Sequence, residues 1–163
     1  MRIQQQAEQL AEALVRRGLM LTTAESCTGG WVAQELTAIP GSSAWFERGF
    51  VTYSNEAKQE MLAVSADTLA QFGAVSEAVV REMALGALQH SRAQLSVAIS
   101  GVAGPGGGSA DKPVGTVCFG WAREGGEVLS RSLHFGGDRE SVRRQAVAVA
   151  IDGLRELVDD VPG

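Results

Sequence analysis

Predicted helices alternate with predicted strands through the first hundred residues, and this order constrains the fold more than any other feature of the sequence. Apolar residues recur at helical spacing over residues 3 to about 17, and a short buried strand follows over 19–24. Further strands are predicted over 45–54 and 95–100, each after an intervening helical pattern. Helices between successive strands favour parallel neighbours in one sheet, with helices on both faces.

The last third of the chain breaks this alternation. Residues 114–122 and 128–135 predict two strands, and the Glu-Gly-Gly-Glu between them indicates a hairpin, so at least one strand is antiparallel. A long helix is predicted from Asp138 to about residue 158. The 163 residues are enough for one core. The sequence therefore predicts a single α/β domain over 1–163, with three α/β/α layers and a mixed, mostly parallel sheet of about five strands.

Composition argues against several classes of partner. The formal net charge of -5 disfavours a nucleic acid as the main ligand, and no continuous apolar run is long enough for a membrane span. The polar first residues show no secretory signal and the two cysteines form no framework, so we expect a cytoplasmic protein. No cluster of histidines and carboxylates has metal-ligand spacing, and we predict neither a metal nor another cofactor. Base rates for soluble enzymes favour a homodimer or a higher homo-oligomer.

The junction between the first strand and the helix predicted over 28–38 carries the candidate nucleophiles. Residues 21–30 read Leu-Thr-Thr-Ala-Glu-Ser-Cys-Thr-Gly-Gly. Reactive groups and anions are often found at such a turn, because the first backbone N–H groups of a helix have no partner within it. We favour Ser26 as the nucleophile, with Cys27 as the rival because thiols at helix N-termini have lowered pKa values. The structural alternatives are that Ser26 is a helix N-cap and that Cys27 packs in the core.

A serine hydroxyl is a weak nucleophile unless a base takes its proton, and the chain offers few bases. His90 falls at the end of a predicted helix and His134 within a predicted strand, contexts typical of structural histidines. The only lysines are Lys58 and Lys112. Lys58 follows Tyr53 just past the end of a strand, where partial burial would lower its pKa. The alternatives are that Lys58 is a solvated surface charge and that Tyr53 packs in its strand instead of orienting Lys58.

Candidate substrate-binding groups follow the strand at 95–100 and begin the last helix. The glycine-rich stretch at 101–109 is either a flexible turn or a backbone cradle for an anion, and it matches neither a P-loop nor a dinucleotide fingerprint. Two arginines four positions apart near the start of the last helix could grip a phosphate, although arginines there are more often solvated. The expected substrate-binding residues are Asn55, Ser100, Gly101, Ala103, Gly104, Gly106, Arg139 and Arg143.

Several stretches of the sequence, spread over nearly the whole chain, occur in the order found in one known family. The sequence resembles the CinA C-terminal-domain family at 24–30 (Ala-Glu-Ser-Cys-Thr-Gly-Gly), 49–58, 73–76 (Gly-Ala-Val-Ser), 98–105, 113–117 (Pro-Val-Gly-Thr-Val) and 135–139. The resemblance implies a three-layer α/β/α fold with a mixed sheet, in agreement with the predicted order of elements.

The resemblance also implies an activity, that of a nicotinamide-nucleotide amidase. Such an enzyme converts nicotinamide mononucleotide and water to nicotinate mononucleotide and ammonia, so a nucleotide is the implied small-molecule partner. The implied mechanism is a serine–lysine one in which Ser26 is the nucleophile, Lys58 is its base and Tyr53 assists. The backbone N–H groups expected to hold the oxyanion are those of Thr28, Gly29 and Gly30.

Two other functions remain open at this stage. The same site could hydrolyse a different carboxamide, or the chain could be a catalytically silent module that binds nucleotides or regulates another domain. The second possibility arises because members of the family are often fused behind a molybdopterin-binding-like domain. This chain resembles the free-standing form, which is the form most often linked to the amidase.

Overall fold

The computed structural model describes residues 2–163. The helices are α1 Ile3–Arg17, α2 Trp31–Thr37, α3 Asn55–Leu62, α4 Ala66–Phe72, α5 Glu77–Gln89 and α6 Arg139–Asp160. The strands are β1 Leu21–Glu25, β2 Phe46–Val51, β3 Leu95–Gly101, β4 Thr116–Arg123 and β5 Val128–His134. A short 3-10 helix, Ser42–Ala44, precedes β2. Within residues 2–163, no helix combines the length and the apolar character needed to cross a membrane.

The strands form one mixed sheet in the order β2-β1-β3-β4-β5. β1 pairs in parallel with both β2 and β3, whereas β4 runs antiparallel to both β3 and β5. All strands except β4 therefore point the same way, which confirms the predicted mixed, mostly parallel sheet.

Helices cover both faces of the sheet and form the outer layers of the predicted three. Side chains alternate across β3, so Val97 and Ile99 join a core with residues of α1, α2 and α6, while Ala98 joins a second core with residues of α5. Leu10 of α1 and Ile151 of α6 are fully buried in the first core. Burial of a side chain of this size stabilises the fold by about 1.5–3 kcal/mol, so the helices are held mainly by their apolar faces.

Helix α2 starts later than the sequence predicts. The expected start was at residue 28, but the first helical residue is Trp31. Gly29 and Gly30 have φ values of +58 and +105, in the left-handed region that glycine adopts at little cost. The chain therefore makes a tight turn between β1 and α2 before the helix begins.

Candidate active site

The carboxyl ends of β1, β2 and β3 meet at one edge of the sheet, and the parallel register places their last residues side by side. Glu25 pairs with Val51 on one side and with Ile99 on the other. Just beyond, the N–H of Ser26 donates to Ile99 O and the N–H of Thr52 donates to Glu25 O, both at 2.9 Å. A cleft of about 330 Å³ opens at this edge, where open α/β sheets bind ligands.

Ser26 and Lys58 contact each other in this cleft. The Nζ of Lys58, on α3, lies 3.0 Å from Ser26 Oγ and 2.7 Å from the carbonyl oxygen of Thr52. Lys58 is 1% exposed, and burial lowers the pKa of its amine because the charged form loses hydration. Between residues 2 and 163, no carboxylate lies within ion-pair distance of Nζ to offset that loss. Such an amine is suited to accept the proton of the Ser26 hydroxyl.

The thiol next to Ser26 lies in a different environment. Cys27 is 6% exposed and packs in the core between the sheet and helices α1, α2 and α6, although it also borders the cleft. Burial raises the pKa of the Cys27 thiol to about 12. A thiol that stays protonated at neutral pH is a poor nucleophile. The environment therefore favours Ser26 over its rival.

Tyr53 and Arg139 form part of the cleft wall and contact each other. The Tyr53 side chain is 63% exposed, and its hydroxyl accepts a hydrogen bond from Arg139 Nη2 at 3.1 Å. Arg139 Nη1 donates to the carbonyl oxygen of Gly104 at 2.7 Å. The Tyr53 hydroxyl is thus engaged with Arg139, while the amine of Lys58 contacts Ser26 and the backbone. In this arrangement, Tyr53 can act on the reaction only by contacting the substrate or by positioning Arg139.

The second candidate arginine, Arg143, contacts the backbone of the turn after β1 and is not among the residues that line the cleft. Arg143 Nε and Nη2 donate to the carbonyl oxygens of Cys27 and Thr28 at 3.0 and 3.2 Å. Its guanidinium carbon lies 5.3 Å from the centre of the Trp31 ring. Only Arg139 of the two arginines borders the cleft. Arg143 instead braces the turn that carries Ser26, so the expectation that it binds substrate is not supported.

The turn after β1 differs from the free helix N-terminus that the sequence suggests. The N–H of Gly29 already donates to Ser26 O at 3.0 Å. The N–H groups of Val32 and Ala33, in the first turn of α2, donate to the carboxylate of Glu25 at 2.9 and 3.1 Å. The N–H groups of Val32 and Ala33 are therefore already used and are not available to an oxyanion. Among the three residues expected to hold the oxyanion, Gly29 already donates its N–H to Ser26 O.

The remaining predicted binding residues line the cleft together, and these are Asn55, Ser100, Gly101, Ala103, Gly104 and Gly106. Gly104 has a φ of +85, in the left-handed region. A Cβ added at Gly101 would lie 2.9 Å from the carbonyl oxygen of Thr116 on the neighbouring strand. Glycine at position 101 is therefore required by sheet packing as well as by the open cleft beside it.

The site also contains residues that the sequence analysis did not predict, among them Ala74, Val75 and Glu25. Ala74 and Val75 contribute apolar, half-buried surface to the cleft, and only their place in a family-like stretch marked them. Glu25 is 1% exposed behind Ser26. An acidic residue at the end of an otherwise buried strand needs hydrogen-bond donors inside the protein. This requirement could have marked Glu25 as a structural residue from the sequence.

Neither histidine belongs to the cleft. His90 Nδ1 lies 2.8 Å from Gly86 O, and His134 Nε2 lies 2.9 Å from Val114 O. Both contacts are with backbone carbonyl groups, as expected for structural histidines. Across residues 2–163, no group of three or more histidine, cysteine, aspartate or glutamate side chains is arranged to hold a metal ion.

Comparison with known proteins identifies the family. Residues 3–158 match the family model of the CinA C-terminal domain. This chain belongs to that family. It is 61% identical over 152 residues to the nicotinamide-nucleotide amidohydrolase PncC of Escherichia coli K12, an alignment covering 93% of this chain and 92% of the relative. A protein of the same name from Pseudomonas putida is 54% identical, with 93% of this chain and 94% of the relative covered.

Solved structures of the CinA superfamily agree with the fold. The crystal structure of the competence/damage inducible protein CihA from Agrobacterium tumefaciens matches with a TM-score of 0.94 at 46% identity. The match covers 97% of this chain and 96% of that chain. The family and the α/β fold predicted from the sequence are thereby confirmed.

Proposed function

We propose that this chain hydrolyses the carboxamide of nicotinamide mononucleotide through an acyl-enzyme formed on Ser26. The observation that carries the proposal is the buried Lys58 amine, 3.0 Å from Ser26 Oγ. Relatives named nicotinamide-nucleotide amidohydrolase, at 61% and 54% identity, support this choice of substrate. The products are nicotinate mononucleotide and ammonia.

The acylation step uses Lys58 first as a base and then as an acid. One N–H of the neutral amine donates to Thr52 O, which leaves the lone pair of Nζ available to the Ser26 hydroxyl. Ser26 Oγ attacks the carboxamide carbon as its proton passes to Nζ. The resulting ammonium gives that proton to the amide nitrogen as the C–N bond breaks. Ammonia leaves, and Lys58 is neutral again.

Deacylation repeats the same steps with water in place of Ser26. Lys58 takes a proton from a water molecule as the water oxygen attacks the acyl carbon. The ammonium then returns the proton to Ser26 Oγ as the ester bond breaks. Nicotinate mononucleotide leaves with the second proton of the water on its new carboxyl group and loses that proton to solvent, and the free enzyme is restored.

The developing oxyanion needs donors, and in our proposal they come from the turn after Ser26. The backbone N–H groups of Thr28 and Gly30 remain candidates, whereas that of Gly29 donates to Ser26 O. Donors that point at the position of the oxyanion before the reaction contribute about 10²–10³-fold to the rate. Arg143 holds the carbonyl oxygens of Cys27 and Thr28 on the other side of the turn, which fixes the peptide planes that carry the N–H groups of Thr28 and Gly29.

The phosphate of the nucleotide is assigned to the outer part of the cleft in this proposal. Arg139 brings a guanidinium to the border of the cleft, and it bridges Tyr53 and Gly104. A planar guanidinium binds phosphate with paired hydrogen bonds, and the nearby glycine loop leaves room for backbone N–H groups to approach. The ribose-phosphate would therefore lie along the glycine loop while the carboxamide faces Ser26.

A substrate panel tests the proposed function. Ammonia release is measured with nicotinamide mononucleotide, nicotinamide riboside, nicotinamide and unrelated carboxamides. We expect the mononucleotide to have the highest kcat/KM and removal of its phosphate to raise KM. Release from another carboxamide alone would assign a different amidase activity. Absence of release from every member of the panel would support the silent-module alternative.

A further inference from the structure

The Glu25 side chain is a buried carboxylate directly before the proposed nucleophile. It is 1% exposed. Its Oε1 accepts hydrogen bonds from the Thr28 hydroxyl at 2.6 Å and from the Val32 N–H at 2.9 Å. Its Oε2 accepts from the Ala33 N–H at 3.1 Å. All three donors follow Ser26 in the sequence, whereas Glu25 precedes it. The carboxylate therefore closes the short loop that contains Ser26.

This arrangement differs from the start of helices α3 to α6. Those helices begin with a short N-cap side chain that accepts a backbone N–H, and the capping residues are Ser54, Ser65, Ser76 and Asp138. The N-cap of α2 is Gly30, which has no side chain to do this. Glu25 fills the role from the end of β1. Burial of a carboxylate is unfavourable unless hydrogen bonds compensate it, so the three donors from Thr28, Val32 and Ala33 must stay on Glu25, and the turn between them keeps one shape.

Hydrogen bonds also connect Glu25 to the amine of Lys58. The carbonyl oxygen of Glu25 accepts from the Thr52 N–H at 2.9 Å. The carbonyl oxygen of Thr52 accepts from Lys58 Nζ at 2.7 Å, and Nζ in turn lies 3.0 Å from Ser26 Oγ. The backbone of Glu25 thus positions the base, while its side chain positions the turn that carries the nucleophile.

We propose that Glu25 is a positioning residue that holds Ser26 Oγ on the lone pair of Lys58 by tying the end of β1 to the start of α2. The inference rests on the proposed Ser26–Lys58 pair. Glu25 touches neither of these side chains, and acts through the backbone of the turn and through Thr28. The misplacement of reacting atoms by about 1 Å lowers a rate by about 10²-fold.

The substitution Glu25→Gln tests the carboxylate with little change in shape. One acceptor oxygen becomes an NH₂ group, which cannot accept the hydrogen bond that the oxygen received. We expect kcat to fall by about 10²-fold with KM within about twofold of the native value, because alignment is lost rather than substrate binding.

Glu82 offers a matched control. Its carboxylate accepts hydrogen bonds at the start of α4, from the Ser65 N–H at 2.8 Å and the Thr68 hydroxyl at 2.5 Å. Glu82→Gln makes the same chemical change at another helix start, away from the cleft. We expect Glu82→Gln to lower Tm with native kcat. A fall in kcat after Glu82→Gln equal to that after Glu25→Gln would reduce the role of Glu25 to fold stability and overturn the inference.

The rate of Ser26 labelling by a phosphonofluoridate, located by mass spectrometry, separates the two proposals. Labelling of native Ser26 together with slow labelling in Glu25→Gln supports the inference. Equal labelling rates in the two proteins refute it and leave the Ser26 mechanism standing. Absence of labelling in the native protein refutes both. Thr28→Val removes one of the three donors to Glu25 and serves as a second test if Glu25→Gln folds poorly. We expect Thr28→Val to lower kcat by less than Glu25→Gln does. A native kcat in Thr28→Val would contradict the inference.

Discussion

Two depressions on this molecule differ in size and in chemistry. The cleft at the strand ends has a volume of about 330 Å³. A groove between α1 and the segment from Ile39 to Trp45 has a volume of about 580 Å³. The charged residues of the groove, Glu8, Glu12 and Arg16, face solvent on the surface of α1. The smaller cleft instead contains Lys58, which is 1% exposed.

The comparison indicates that the candidate site depends on where strands end and not on the volume of the depression. Parallel β1, β2 and β3 end side by side, so Ser26, Thr52 and Ser100 come together from distant parts of the chain. The groove lies between a helix and a loop, where no set of strand ends converges. The amine in the cleft has a lowered pKa because burial removes water from its charged form.

Replacement of the proposed nucleophile, Ser26, should have the largest effect. We expect Ser26→Ala to lower kcat by about 10⁴–10⁶-fold with little change in the fold, because it removes one hydroxyl. Cys27→Ala is the matched control next to it, with kcat within a few-fold of native because its thiol is protonated and in the core. Loss of activity in Cys27→Ala, with Ser26→Ala active, would make the thiol the nucleophile. Ammonia release and Tm measure both.

Replacement of the proposed base, Lys58, should have the next largest effect. Lys58→Met keeps the apolar part of the side chain and removes the amine, and we expect kcat to fall by about 10²–10⁴-fold. The other lysine is the control, since Lys112 lies outside the cleft and donates to the carbonyl oxygen of Phe72. We expect Lys112→Met to retain native kcat. Equal losses in the two variants would contradict a special role for Lys58.

The pH dependence should follow the protonation state of Lys58. Burial lowers the pKa of its amine below the ordinary lysine value of 10.5, and only the neutral amine has a lone pair for the Ser26 proton. We expect kcat/KM to fall as pH decreases through this lowered pKa, since protonation removes the base. The profile of kcat/KM against pH in the native enzyme measures the midpoint. A midpoint at or above 10.5 would contradict the effect of burial.

A change in the groove should have the smallest effect. Val15 is 63% exposed on the groove side of α1. We expect Val15→Ser to leave kcat and KM within about twofold of native, because most surface substitutions change stability by only about 0.5 kcal/mol. A large rise in KM would show that the groove contributes to substrate binding, and the contrast between the two depressions would then fail.

Much of the fold followed from patterns between near neighbours in sequence. Helical periodicity predicted α1 and α6, and the glycines of 124–127 predicted the hairpin between β4 and β5, which the structure confirms. The predicted start of α2 was wrong, because Gly29 and Gly30 adopt left-handed backbone conformations and the helix begins only after them. Homo-oligomeric assembly, a cytoplasmic location and free-standing form stay predictions.

The candidate site was predicted in part. The scarcity of bases in the sequence directed attention to Lys58, and the resemblance to a family strengthened that choice. The sequence did not distinguish Arg139 from Arg143, because both lie near the start of α6 and differ by about one helical turn. The role of Arg143 in holding the turn depends on contacts with residues 116 and 115 positions away in the chain, which no local pattern contains.

The sequence by itself determined which elements form and which chemical groups are present, because periodicity, caps and turns depend on residues within a few positions of one another. Only the tertiary structure decided which groups meet. Ser26 and Lys58 are 32 positions apart, and their contact depends on the parallel register of β1 with β2 and on the packing of α3 against α5. The Glu25 carboxylate accepts hydrogen bonds from the N–H groups of Val32 and Ala33, and so constrains the turn that carries Ser26.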